Sequence, residues 1–145
     1  MKLKPKKYKF NTKTKWIQAR KGVLSADGKS PIKIGCPPEF GGEPGYWTAE
    51  HLFISSIETC IMTTFMWLLE KMKCELISYD SEAIGTAQIV NGDFRFNTIE
   101  IKPVITVPDN CLSKAKDAIE GAYKQCLISK ALNLKVHLNP IIKPA

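Results

Sequence analysis

The chain has 145 residues, 44% hydrophobic and 24% charged, which fits one globular domain over residues 1–145 and leaves no room for a second. Its formal charge of +7 admits an anionic partner, but seven lysines fall within the first fifteen residues. Arginine, the better reader of phosphates and bases, stands only at positions 20 and 95, so a nucleic-acid surface is not expected.

The opening Met1-Lys2-Leu3-Lys4-Pro5-Lys6-Lys7 is too charged for the apolar core of a secretory signal, and a cytoplasmic protein is expected. From Lys7 to Trp16, lysines 7, 9, 13 and 15 alternate with Tyr8, Phe10, Thr12, Thr14 and Trp16. That is the period of a half-buried strand with a solvated lysine face. Val23-Leu24-Ser25 and Ile32-Lys33-Ile34 flank a turn signal at Ala26-Asp27-Gly28-Lys29 and extend the strand into an antiparallel meander. Gly35 to Gly45 carries four glycines and three prolines, which excludes regular structure and predicts a long loop able to wall a site.

Thr48 then caps a helix with Glu50 in its first turn, running to about Met72. Ile54, Ile57, Ile61, Phe65, Leu68 and Met72 follow helical spacing, while Phe53, Met62, Met66, Trp67 and Leu69 cover other directions. A helix apolar nearly all round is buried on most sides, by a sheet or by a second chain. The stretch His51 to Leu69 contains Glu58 and falls short of the roughly 20 apolar residues that span a bilayer, so no membrane span is expected. Strand signals return at Ser78 to Val90, with a hairpin turn at Asn91-Gly92 and a second strand from Phe94 to Val107, where Pro103 predicts an edge or a bulge. A second helix is predicted over 110–131, with Ala115, Ile119, Ala122 and Cys126 on its buried stripe. Leu134, Val136 and Leu138 form a closing strand. The order of elements predicts an α+β domain.

His51 and His137 stand alone and no set of residues has ligand spacing, so neither a metal nor another cofactor is expected. The glycine-rich loop matches no phosphate-binding motif, and its prolines lack the N–H donors a phosphate cradle needs. What remains is thiol chemistry. Five cysteines without a CxxC pair, in a reducing compartment, argue against a disulfide framework. Cys60 has Ser56, Thr63 and Thr64 one helical turn away and Phe53, Ile57 and Trp67 beyond. On periodicity alone, packed core cysteines explain both Cys60 and Cys126 better than reactive ones do, because burial by itself raises a thiol pKa. An adjacent guanidinium such as Arg20, held by Glu50, would reverse that shift. Cys36, Cys74 and Cys111 are read as ordinary packed residues.

Pro37-Pro38-Glu39-Phe40-Gly41-Gly42, then Thr48-Ala49-Glu50-His51-Leu52 with Cys60 ten residues after Glu50, then Cys126-Leu127-Ile128-Ser129, resemble the OsmC/Ohr family of osmotically induced and organic hydroperoxide resistance proteins. The resemblance implies an intertwined homodimer, with antiparallel sheets wrapped around a buried central helix and active sites at the interface. It implies that Cys60 is the peroxidatic cysteine, Cys126 the resolving one, Arg20 the activator of the thiolate and Glu50 its carboxylate partner. The family often has proline directly after the resolving cysteine, where this chain has Leu127. Ten residues of helix place Glu50 and Cys60 about 15 Å apart, so either the helix breaks or Glu50 serves the partner's Cys60; the second is expected.

The implied reaction reduces an organic hydroperoxide through a Cys60 sulfenic acid and a Cys60–Cys126 disulfide, with a small or protein dithiol as reductant. Phe53, Ile57 and Trp67, joined by Phe40 or Trp47, would line an apolar substrate site. Glu58, two residues from Cys60, is expected to point about 200° away from it. The alternative is a non-catalytic dimer of the same fold binding a small apolar ligand.

Overall fold

The computed structural model describes residues 3–145, so Met1 and Lys2 of the lysine-rich opening lie outside the described residues. The chain divides into two compact units, one ending at His51 and the other running Leu52–Ala145.

In the first unit β1 (Lys13–Gln18), β2 (Lys21–Ser25) and β3 (Ile32–Gly35) form the expected antiparallel meander in sequence order. Gly28 takes φ +75° in the turn joining β2 and β3, and Lys29 N–H donates to the Ala26 carbonyl at 3.1 Å. The strand expected from Lys7 begins only at Lys13, and both its faces are exposed. Lys13 pairs with Ser25, the last residue of β2 before the chain turns, so residues 7–12 have no neighbouring strand among the described residues. Tyr8 and Phe10 are consequently exposed, and Trp16 keeps 72% of its surface.

The proline- and glycine-rich loop contains one 3₁₀ turn, Pro38–Phe40, where regular structure was not expected. Proline at the first helical position is preorganised for such a turn. Gly41 closes it at φ +86°, and a Cβ on Gly42 would collide with the Cys36 carbonyl. Trp47 N–H donates to Lys33 O and Gly35 N–H to Trp47 O, closing the base of the loop. Lys21 Nζ holds its flank through Glu43 Oε2 at 2.9 Å.

Thr48 is buried and its Oγ1 accepts the His51 N–H at 3.2 Å, the expected cap of α1 (Ala49–Lys71). In the second unit only one face of α1 is wholly buried: Ile57, Ile61, Phe65 and Leu69 join a core with Ile99, Ile101, Ile105 and Val107. Each such side chain contributes about 1.5–3 kcal/mol. Met66 and Trp67 on the other side are exposed, so the expectation of burial on most sides does not hold within a single chain. α1 passes close to the sheet at Gly85, where an added Cβ would stand 2.7 Å from Ile54 Cγ2.

β4 (Ser78–Val90) and β5 (Asp93–Val107) form the predicted hairpin, with positive φ at Asn91 and Gly92 (51° and 81°) suiting a two-residue turn. β6 (Val136–Leu138) and β7 (Ile141–Pro144) both pair parallel to β5, so the sheet is mixed rather than wholly antiparallel. β7 was missed in the sequence because Pro140 and Pro144 frame it. Pro103 is buried in the centre of the sheet, neither at an edge nor at a bulge. β6 pairs with Ile99–Ile101 and β7 from Val104, so the missing N–H falls in the gap between them.

The predicted second helix is divided. After a 3₁₀ turn, α2 (Leu112–Gln125) buries Ala115, Ala118, Ile119 and Ala122; Cys126 is extended (φ −61°, ψ 111°), and α3 (Leu127–Lys130) follows. Cys74 and Cys111 form a disulfide, contrary to the packed thiols expected of them. Their Cα atoms are 6.0 Å apart, because the β4–β5 hairpin returns the chain to its starting point.

Candidate active site

Cys60 is on the middle of α1, half-buried, and Cys126 is wholly buried where α2 ends; both are free thiols. The extended backbone at Cys126 stops α2 and turns its sulfur to the start of α3, where it accepts the Ser129 N–H at 3.4 Å. Cys126 thus caps α3 and supplies the break that proline would otherwise supply. The same break directs two further backbone amides at Cys60.

Burial pushes the Cys60 thiol up, since desolvation opposes a charged sulfur. Hydrogen bonds outweigh it: from Ile128 N–H first, then the Cys126 thiol, Leu127 N–H and the Thr64 hydroxyl. The net result is a pKa below the ordinary 9.0. A low-pKa thiolate hydrogen-bonded by a second thiol can act as a nucleophile and then close a disulfide.

Beside the pair, Thr63, Thr64, Trp67 and Gln125 line an open groove of about 340 Å³. Trp67 is 48% exposed, and Lys71 Nζ lies 3.8 Å over its ring centroid. Phe53 is partly buried against Phe96, with centroids 5.0 Å apart, and Ile57 has no exposed surface and backs the site from the core. Glu58 stands by Tyr79 on β4, whose phenol is pushed up to about 12 by burial and by that carboxylate. It therefore faces the sheet.

In the first unit Arg20 occupies the two-residue turn between β1 and β2, opposite the Gln18–Lys21 pair. Ala19 takes φ 48° there, and the Trp16 indole N–H donates to its carbonyl at 2.8 Å. Arg20 Nη1 donates to the Phe40 carbonyl at 2.5 Å, so the guanidinium is tied to the proline- and glycine-rich loop rather than to Glu50. One carboxylate oxygen of Glu50, Oε2, is buried without a hydrogen-bond partner among the described residues. Phe40 and Trp47 are both about half exposed, and Trp47 meets His51 edge-on at 6.5 Å. α1 is one unbroken helix from Ala49 to Lys71, which sets aside a break between Glu50 and Cys60.

Sequence reasoning named the two sulfurs and the neighbouring Thr64 as candidates but not the amides of Leu127 and Ile128. Their only signal would have been a break at Cys126, which no proline or glycine announces. No group of three or more His, Cys, Asp or Glu able to hold a metal occurs among the described residues.

A family model described as OsmC-like protein matches residues 41–140. No match is found among proteins of curated function. Among solved structures, an OsmC-like protein from Vibrio cholerae is similar at a TM-score of 0.84 and 16% identity, covering 93% of this chain and 100% of its own. An organic hydroperoxide resistance protein from Elizabethkingia anophelis, with thiocyanate bound, reaches 0.71 at 21% identity over 97% and 99% of the two chains. The organic hydroperoxide resistance protein OhrB of Bacillus subtilis gives 0.63 at 19%, over 94% and 98%.

Proposed function

The chain belongs to the OsmC-like protein family, and from that premise we propose that it is a cysteine-based peroxidase reducing organic hydroperoxides. The observation that carries this reading is Cys60, a free thiol whose pKa is lowered by the Ile128 amide and by another free thiol, Cys126. The Cys60 thiolate attacks the O–O bond; the alkoxide leaves, takes up a proton as the alcohol, and the sulfur becomes a sulfenic acid. The Cys126 thiol condenses with it, forming the S–S bond and releasing water. An external dithiol then supplies two electrons and two protons to restore both cysteines.

We further propose a homodimer in which Arg20 stabilises the thiolate and the departing oxygen while Glu50 orients a guanidinium at the partner subunit's Cys60. Two observations support this. A buried carboxylate oxygen without a partner costs about 1–3 kcal/mol, which favours a donor from outside this chain for Glu50. The exposed apolar side of α1 likewise favours a second copy against it. Trp67 and its groove, with Phe53, Phe40 and Trp47, would receive the organic part of the substrate. We place the protein in the cytoplasm, where small and protein dithiols are available.

One equivalent of cumene hydroperoxide should remove two free thiols per chain, and Cys60→Ser should abolish the loss. If no thiol is consumed, the reading fails. The binding-protein alternative rests on the same groove and predicts ligand uptake with every thiol retained.

A further inference from the structure

The disulfide not used by this chemistry joins the two helices that the chemistry depends on. Cys74 follows α1, pinned by its N–H to the Leu69 carbonyl at 3.2 Å, and Cys111 is the residue that precedes α2, its N–H on the Pro108 carbonyl at 2.8 Å. Cys60 lies fourteen residues before Cys74 on or near α1, and Cys126 fifteen residues after Cys111, where α2 ends. At about 1.5 Å per residue the two sulfur pairs are on the order of 20 Å apart along the helices, beyond reach of direct exchange. Lys114 Nζ, reaching from α2 to the Met72 carbonyl at 3.4 Å, ties the same two helix ends. Most of the chain between the two cysteines, which are 37 residues apart in sequence, is the β4–β5 hairpin.

We propose that Cys74 and Cys111 are a second redox couple, chemically separate from Cys60 and Cys126, whose oxidised form locks the α1–α2 geometry that holds Cys126 against Cys60. The oxidant is a low-molecular-weight disulfide such as oxidised glutathione. Cys74, 9% exposed against 4% for Cys111, is the entry point. Its thiolate attacks the small disulfide, forming a mixed disulfide and releasing one thiol. Cys111 then displaces the second. Two protein thiols lose two electrons and two protons, all recovered in two molecules of reduced glutathione. Reduction unties the helix ends at the far side of the molecule and slackens the contact at Cys126. The significance of that contact rests on the peroxidase reading; the couple itself does not.

The test separates the two. In the Cys60→Ser protein, equilibration against glutathione mixtures, followed by alkylation and mass measurement, should show Cys74 and Cys111 titrating together as one two-electron step. Across that step Tm should fall by roughly 10 °C, as expected for a cross-link closing a loop of this length. In the wild type, formation of the Cys60–Cys126 disulfide by oxidised glutathione should run severalfold slower in Cys74→Ala/Cys111→Ala than in the parent. Should that variant fail to fold, Cys111→Ser alone, which leaves Cys74 without its partner sulfur, serves instead. Cys74 and Cys111 remaining free thiols in oxidised glutathione would overturn the couple, and an unchanged closure rate would overturn the lock. Neither outcome depends on peroxide turnover, so a failed peroxidase reading shows itself only in the hydroperoxide assay.

Discussion

Desolvation opposes ionisation of Cys60, and four short-range donors outweigh it. The sign of the pH dependence follows. With a folded pKa below 9.0, thiolate formation stabilises the fold fully above the unfolded value, and that contribution is lost as pH falls through the folded pKa. The rate of Cys60 alkylation by iodoacetamide should rise with pH to a plateau whose midpoint lies below 9.0. Cys126→Ala or Thr64→Val should raise that midpoint, and a curve unchanged in both would show that the donors do not act on the sulfur. Cys60 and Cys126 were singled out in the sequence by the family pattern, since periodicity alone reads both as core, and Thr64 by its helical spacing from Cys60. Arg20 was legible only as a rare residue beside a turn, and its bond to the Phe40 carbonyl depends on a loop conformation that proline and glycine content does not encode.

Among the elements, the break at Cys126 has the greatest consequence. Leu127 opens α3, a position where proline is well tolerated, and its side chain is exposed. Leu127→Pro should therefore keep Tm within a few degrees while removing one donor to Cys60, raising the alkylation midpoint; loss of the fold would contradict the assignment of that position. At the crossing of α1 over β4, Gly85→Ala forces a methyl against Ile54 and Phe96 and should cost about 1–3 kcal/mol in urea unfolding. The hairpin, the meander and the buried stripe of α2 were predictable from turn residues and periodicity. The parallel pairing of β6 and β7 was not, because it depends on where α2 delivers the chain. Nor was the disulfide, since two cysteines 37 residues apart become neighbours only once the hairpin has folded.

For the whole molecule, the informative feature is apolar surface left uncovered. α1 is apolar around most of its circumference yet buries one face, and Tyr8, Phe10 and Trp16 are exposed beside a row of lysines. Purified protein should sediment as a dimer, and Met66→Glu should shift it toward monomer at micromolar concentration, because a carboxylate buried between subunits is costly without a partner. A wild-type monomer with full hydroperoxide turnover would sink the dimeric site. The sequence carried this expectation in the breadth of the apolar surface on one helix, although periodicity alone assigns no second chain to cover it.

Two of the donors that lower the Cys60 pKa are main-chain amides, at Leu127 and Ile128. No particular side chain encodes them, so nearly any residue serves at either position. Codons 127 and 128 can therefore drift under selection that acts on the bend at Cys126 rather than on residue identity, and the electrostatics of the site can outlast most of the sequence around it.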